Sequence, residues 1–169
     1  DEEEKAEQLL KEQAEQLDTV LIEKSTGKTV AFFYITTNGA VNVRKPGDYV
    51  AKMIELAGGS YVPQTADADE NALSTMNMQM EAFYAETKDA DCLIYNSTID
   101  GELQTLDELL QKNPLLADFK AVKNGNVWCT GKNMFQETMG LGNMILDMHA
   151  VLSEDTLDEA GLHYLHRLR

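Results

Sequence analysis

The chain has 169 residues, 43% of them hydrophobic and 25% charged, which fits one globular domain with a sizeable core. Its formal net charge is −15. That charge argues against a nucleic-acid binder built on clustered Lys and Arg, and equally against docking on an anionic membrane face.

The acid is concentrated in Asp1–Glu15, Asp67–Glu70 and Glu154–Glu159, a pattern typical of solvated surface. No run approaches the ~18 apolar residues of a membrane-spanning helix, and the first residues show no signal-peptide pattern. Two cysteines, Cys92 and Cys129, make no disulfide framework. Each borders an apolar run and reads as a small buried hydrophobe on a strand, with a bridge between neighbouring strands as the alternative.

Taken in order, Glu2–Glu23 is strongly helical. Leu9, Leu10, Ala14, Leu17, Val20 and Leu21 recur at three- and four-residue spacings among Glu, Lys and Gln. Gly27 is a natural residue to stop it. Thr29–Thr36 is rich in β-branched and aromatic residues and reads as a central strand. Thr37-Asn38-Gly39 is a turn signal, and Val41–Arg44 returns as a short strand. Pro46-Gly47-Asp48 opens a helix with Asp48 or Gly47 at its start. Tyr49, Val50, Met53, Ile54 and Ala57 give that helix an apolar face, and Gly58-Gly59 ends it. Ser60–Val62 is a second brief strand, and Pro63–Ser74 a polar, acidic loop.

Met80–Thr87 reads as a helix and Cys92–Tyr95 as a short buried strand, left through the polar loop Asn96-Ser97-Thr98. Leu103–Gln111 is helical by spacing and is ended by Asn113-Pro114. Leu115–Phe119 is a helical turn. Lys123–Asn126 turns into the strand Val127–Cys129, and Thr130–Gln136 is a loop. Thr138–Leu152 is a helix with Leu141, Met144, Ile145, Met148 and Val151 in one stripe. Leu162–Leu168 reads as a last short helix. Helices alternating with short strands predict an α/β fold with a mostly parallel central sheet.

Several segments carry a resemblance. Glu81 opens a helix that leads to Asp89-Ala90-Asp91-Cys92-Leu93-Ile94. Before it stands Met53–Gly59, after it Phe119–Val127, and then a long helix. This ordered set, over roughly Thr29–Leu152, resembles the C-terminal lobe of the periplasmic or lipoprotein substrate-binding proteins of ABC importers for iron-siderophores, haem and cobalamin. The resemblance implies a Rossmann-like, three-layer lobe over residues 26–169, preceded by a long inter-lobe helix over residues 1–25. It implies that an N-terminal lobe is missing, and that export and any lipid anchor belong to a longer precursor, periplasmic or on the outer face of a Gram-positive membrane. It further implies that Glu81 projects from the lobe to pair with Arg on the membrane permease.

The strand ends offer the candidate ligand site. In open α/β sheets ligands bind outside the carboxyl ends of the strands. Tyr34, Thr37 and Asn38, then Asn96, Ser97 and Thr98, then Lys132, Asn133, Met134 and Phe135 would share that rim. They bring aromatic rings, amides, hydroxyls and an ammonium, a mixture suited to a bulky, partly apolar and partly anionic ligand. Arg44 and Lys45 would add positive charge for a siderophore carboxylate or haem propionate. The competing expectation is that all of these are ordinary turn residues. Met134 is a candidate haem axial ligand. His149, His163 and His166 lack an accompanying ligand pattern, so no protein-held metal or resident cofactor is expected.

No GxSxG, P-loop, HExxH or complete GxGxxG occurs. The expectation is a non-enzymatic solute-binding lobe. Its alternative is a small Rossmann-like enzyme or regulatory domain that uses the strand-end rim as its own site.

Overall fold

A computed structural model describes residues 2–5, 7–8, 26–45, 48–63, 75–131, 140–153, 162 and 164–169. Residues 2–5 and 7–8 are helical (α1). There follow β1 (Thr29–Ile35), β2 (Val41–Arg44), α2 (Tyr49–Leu56), β3 (Ser60–Val62), β4 (Thr75–Met78), α3 (Met80–Thr87), β5 (Cys92–Tyr95), α4 (Ser97–Asp100), α5 (Leu106–Lys112), a 3-10 turn (Pro114–Asp118), α6 (Lys120–Lys123), β6 (Val127–Thr130), α7 (Gly140–Ser153) and β7 (Leu165–Arg167).

The strands form one sheet in the order β4-β2-β1-β5-β6-β7, with β3 also paired to β1. β1, β3, β5 and β6 run parallel. β2 and β7 pair antiparallel to β1 and β6. β2 and β3 share one flank of β1: Phe33–Ile35 pairs with β2 and Thr29–Ala31 with β3.

Alternation along the strands separates two cores. Val30, Phe32, Cys92, Ile94 and Trp128 face α2 and α7. Ala31, Phe33, Leu93, Tyr95 and Cys129 face Met80 and Phe83 of α3, Leu109 of α5 and Ala121 of α6. This is the three-layer α/β arrangement expected of the sequence. Gly59 sits where chain meets core: a Cβ there would lie 2.9 Å from Leu152 Cδ1 and 3.2 Å from both Ile54 Cγ2 and Val30 Cγ2.

The segment Asp89-Ala90-Asp91 has a local task. The Asp91 carboxylate accepts the Thr29 N–H at 3.0 Å and Lys120 Nζ at 2.7 Å. It thereby ties the start of β1 to the start of β5 and to α6, while Ala90 is buried below.

Five elements differ from the sequence expectation, one of them the short helix α6 at Lys120–Lys123. Leu162–Leu168 is not a helix: residues 165–167 form the edge strand β7, paired to β6 through Trp128–Thr130. The buried Asp147 of α7 fixes it, accepting the backbone N–H of Tyr164 at 2.6 Å and of Leu165 at 3.3 Å. Asn96–Thr98 is not an open loop: Asn96 caps the short helix α4, its Oδ1 accepting from the Thr98 N–H at 3.1 Å. α5 begins three residues later than the spacing suggests, because Thr105 caps it by accepting from the Glu108 N–H at 3.2 Å. Thr75–Met78, given no strand on sequence, pairs with β2 from Val41↔Met78 to Arg44↔Thr75.

The cysteines are both free. They face opposite cores, so no bridge joins them. Burial pushes the Cys92 thiol up to about 12 and the Cys129 thiol up to about 11, so neither is a ready thiolate.

Candidate functional site at the strand-end rim

Register brings the predicted segments to one end of the sheet. β1, β5 and β6 are parallel neighbours, so Thr36–Gly39, Asn96–Thr98 and Gly131 all leave the sheet at the same rim. Met78 at the end of β4 pairs with Val41, and Val41 with Ile35 at the end of β1. α3 therefore also starts at this rim, with Glu81 exposed in its first turn. An acid there is favoured by the helix dipole. Gln79, at the cap position, makes no side-chain capping bond.

Thr37 and Asn38 are exposed at the tip of the β1–β2 hairpin. Gly39, at φ +87°, supplies the positive φ the turn needs, and Asn38 Oδ1 accepts from the Thr36 hydroxyl at 2.5 Å. Tyr34 is half-buried, paired with Asn42.

Asn96 and Ser97 stand at the rim but are turned into the fold. The Asn96 N–H donates to Phe33 O at 2.7 Å, joining β5 to β1. The Ser97 N–H donates to Thr130 Oγ1 at 2.9 Å, the Ser97 hydroxyl donates to the Thr130 carbonyl, and the two hydroxyls lie 3.0 Å apart. Ser97 and Thr130 are buried. Thr98, half-buried, donates its hydroxyl to Asn96 Oδ1 at 2.6 Å. Next to it, Ile99 is 68% exposed.

Arg44 is not at the rim. It lies at the far end of β2, three residues or roughly 10 Å below Val41, and its guanidinium is 3.6 Å from the Asp48 carboxylate. Lys45 is buried beside it. Lys132, Asn133, Met134 and Phe135, with His163, lie outside the described residues.

The described histidines are tied to backbone carbonyls. His149 Nδ1 is 2.8 Å from Ala57 O. His166 Nε2 is 2.6 Å from Leu103 O, while its Nδ1 lies 3.5 Å from Glu102. Among the described residues no group of three or more His, Cys, Asp or Glu could hold a metal ion. Among them, too, no helix is long and apolar enough to cross a membrane.

A concavity of about 390 Å³ opens at the other end of the sheet, lined by Tyr84, Lys88, Asp118, Lys120 and Lys123 among others. Two of its ammonium groups meet carboxylates, Lys120 with Asp91 at 2.7 Å and Lys123 with Asp118 at 3.1 Å, and Lys88 Nζ lies 5.6 Å from the centre of the Tyr84 ring. Tyr84 donates its hydroxyl to Asp118. That hydrogen bond raises the Tyr84 pKa, and, with the bond from Lys123, lowers that of Asp118. This is an ion-paired surface, remote from the rim.

Comparison with known proteins bears on the fold. No family model matches the chain. An uncharacterized lipoprotein of Methanocaldococcus jannaschii is 29% identical over 140 residues, covering 80% of this chain and 31% of its own length. An ABC transporter substrate-binding protein from Listeria monocytogenes superposes with a TM-score of 0.62 at 18% identity, covering 86% of this chain and 56% of that one. The siderophore periplasmic binding protein from the fuscachelin gene cluster of Thermobifida fusca gives a TM-score of 0.59 at 21% identity, over 89% of this chain and 53% of that one. A periplasmic heme binding protein from Pseudomonas aeruginosa gives 0.60 at 15% identity, over 95% and 53%. The chain thus spans about half the length of these solved structures and about a third of the curated relative, and over that span it has the fold of ABC-transporter substrate-binding proteins.

Proposed function

We propose that this chain is part of the solute-binding component of an ABC importer for an iron-siderophore, haem or cobalamin-like ligand. In this reading residues 26–169 supply one wall of the ligand cleft, residues 1–25 are the helix leading to an N-terminal lobe, and Glu81 is the carboxylate that docks on the permease. The observation that carries it is the convergence of Thr37, Asn38, Thr98 and Glu81 on one rim of parallel strand ends. The fold shared with half of several binding proteins supports the same reading.

The roles divide by exposure. In this reading Tyr34, Thr37, Asn38 and Thr98 border the ligand, and Lys132, Asn133, Met134 and Phe135, outside the described residues, keep their sequence-based assignment as ligand contacts. Asn96 and Ser97 hold the rim in place, since their hydrogen bonds turn inward. Arg44, paired with Asp48, supports the start of α2. The chain carries no catalytic chemistry in this reading. His166, the described imidazole at this end, has a partner within 3.5 Å on each ring nitrogen, which speaks against a general base there. In this reading the full-length protein works outside the cytoplasm, in the periplasm or lipid-anchored on the outer face of a Gram-positive membrane.

Docking through Glu81 is tested by Glu81→Ala in the full-length protein. Charge complementarity governs docking orientation and encounter. Transport of a radiolabelled ferric siderophore should fall roughly tenfold with ligand affinity and Tm unchanged. Wild-type transport by the variant would remove Glu81 from the interface.

A further inference from the structure

We propose that Ile99 is a ligand contact of this rim, taking the apolar flank of a bulky iron chelate, and that Ser97 and Thr130 are the residues that position it. The inference rests on the solute-binding reading above. Ile99 is 68% exposed, and among the described residues no other large hydrophobic is left exposed. A single exposed aliphatic is ordinary on a protein surface, so its location is what matters. Ile99 is the third residue of α4, four residues past the end of β5, where an open α/β sheet receives its ligand.

The backbone that bears it is fixed from three strands. The Asn96 N–H is bonded to the Phe33 carbonyl of β1 at 2.7 Å. Ser97 is clamped to Thr130 of β6 by its own N–H at 2.9 Å and by its hydroxyl. Asn96 itself continues β5. Asn96 and Ser97 are 4% and 2% exposed, and Thr130 is fully buried, so this brace is not offered to solvent. The Ser97 hydroxyl that makes this stretch look like a hydrogen-bonding site is therefore engaged by Thr130, and the Thr98 hydroxyl by the Asn96 amide oxygen, while the exposed side chain of the stretch is the aliphatic Ile99. A contact held on pre-ordered backbone loses little freedom on binding. Such sites match the apolar body of a ligand with hydrophobic walls and a few placed polar groups. Thr37 and Asn38, exposed at the neighbouring hairpin tip, supply polar groups at the same rim.

The test measures Kd for a ferric trihydroxamate and for haem, with Tm alongside, in the full-length protein. The variants are Ile99→Asp, Ile99→Leu, Thr130→Val and Thr130→Ser. For whichever probe binds, Ile99→Asp should weaken affinity about tenfold at unchanged Tm, and Ile99→Leu should bind as the unaltered protein does. Thr130→Val should weaken binding, and Thr130→Ser, which keeps the hydroxyl, should restore it. A wild-type Kd for Ile99→Asp overturns the contact. Thr130→Val that lowers Tm and leaves Kd unchanged makes the brace merely structural and overturns its positioning role. If the unaltered protein binds neither probe, the iron-chelate part of the solute-binding reading fails and this inference falls with it. If it binds and Ile99→Asp binds equally, the inference alone fails.

Discussion

Asp91 binds three partners at the end of the sheet opposite the rim: the Thr29 N–H at 3.0 Å, the Thr29 hydroxyl at 3.3 Å and the Lys120 ammonium at 2.7 Å. Burial by itself would raise its pKa, but these hydrogen bonds and the Lys120 charge outweigh it and leave the carboxyl below its ordinary value of 3.8. A folded-state pKa below the unfolded one means that the stabilisation is complete above pH 3.8 and is lost as the pH falls through the lower, folded value. Asp91→Asn should therefore lower unfolding free energy by about 1 kcal/mol at neutral pH, an amount set by exposed hydrogen-bonded pairs. The difference from the unaltered protein should close at acid pH. Urea titrations at neutral pH and near pH 3 measure both, and a gap that widens on acidification would refute the assignment. The two thiols are shielded by the cores. With Cys92 and Cys129 buried and their pKa values raised, a thiol reagent should label the chain only at the rate of unfolding.

Among the elements, those built from compact apolar runs are legible in the sequence alone. β1, β5 and β6 are bounded by turn residues and buried on both faces, so their own composition decides them. The edges are not legible in the same way. In β4, Thr75-Met76-Asn77-Met78 has weak intrinsic strand preference, and pairing with β2 and packing of Met76 and Met78 decide its state. β7 reads as helical because Leu162, Leu165, His166 and Leu168 repeat at helical spacing, but the buried Asp147, 17 residues before Tyr164, captures its backbone.

The rim is legible in place and only partly in use. The hairpin tip at Thr37-Asn38 and the exposure of Glu81 follow from turn chemistry and helix position. Nothing in the local sequence says that the Ser97 hydroxyl is taken up by Thr130, a residue 33 positions away, or that the apolar Ile99 stays uncovered. Long-range contacts of this kind also set the stability of single elements. Asp147→Ala leaves two N–H groups without their acceptor and should cost about 2–3 kcal/mol, with faster amide exchange at Tyr164 and Leu165. Gly59→Ala pushes a methyl against Leu152, Ile54 and Val30 and should cost about 1–3 kcal/mol. Unchanged urea midpoints would contradict either.

For the molecule as a whole, the two cores lie on opposite faces of the sheet, so the rim at its end is built from loops on a rigid support. The chain spans 53–56% of the three binding proteins whose fold it shares. In the proposed reading a second lobe closes the cleft, and half a cleft covers too little of a ligand to hold it tightly. Solute binding at this rim is tested most directly by titrating the full-length protein and the 169-residue chain with a ferric trihydroxamate, haem and cobalamin. The expected result is saturable, tight binding of at least one of them by the full-length protein, and for this chain alone a Kd no better than micromolar, on the order of −8 kcal/mol. Absence of binding by the full-length protein would contradict the solute-binding role, and sub-micromolar binding by the isolated chain would contradict the shared cleft.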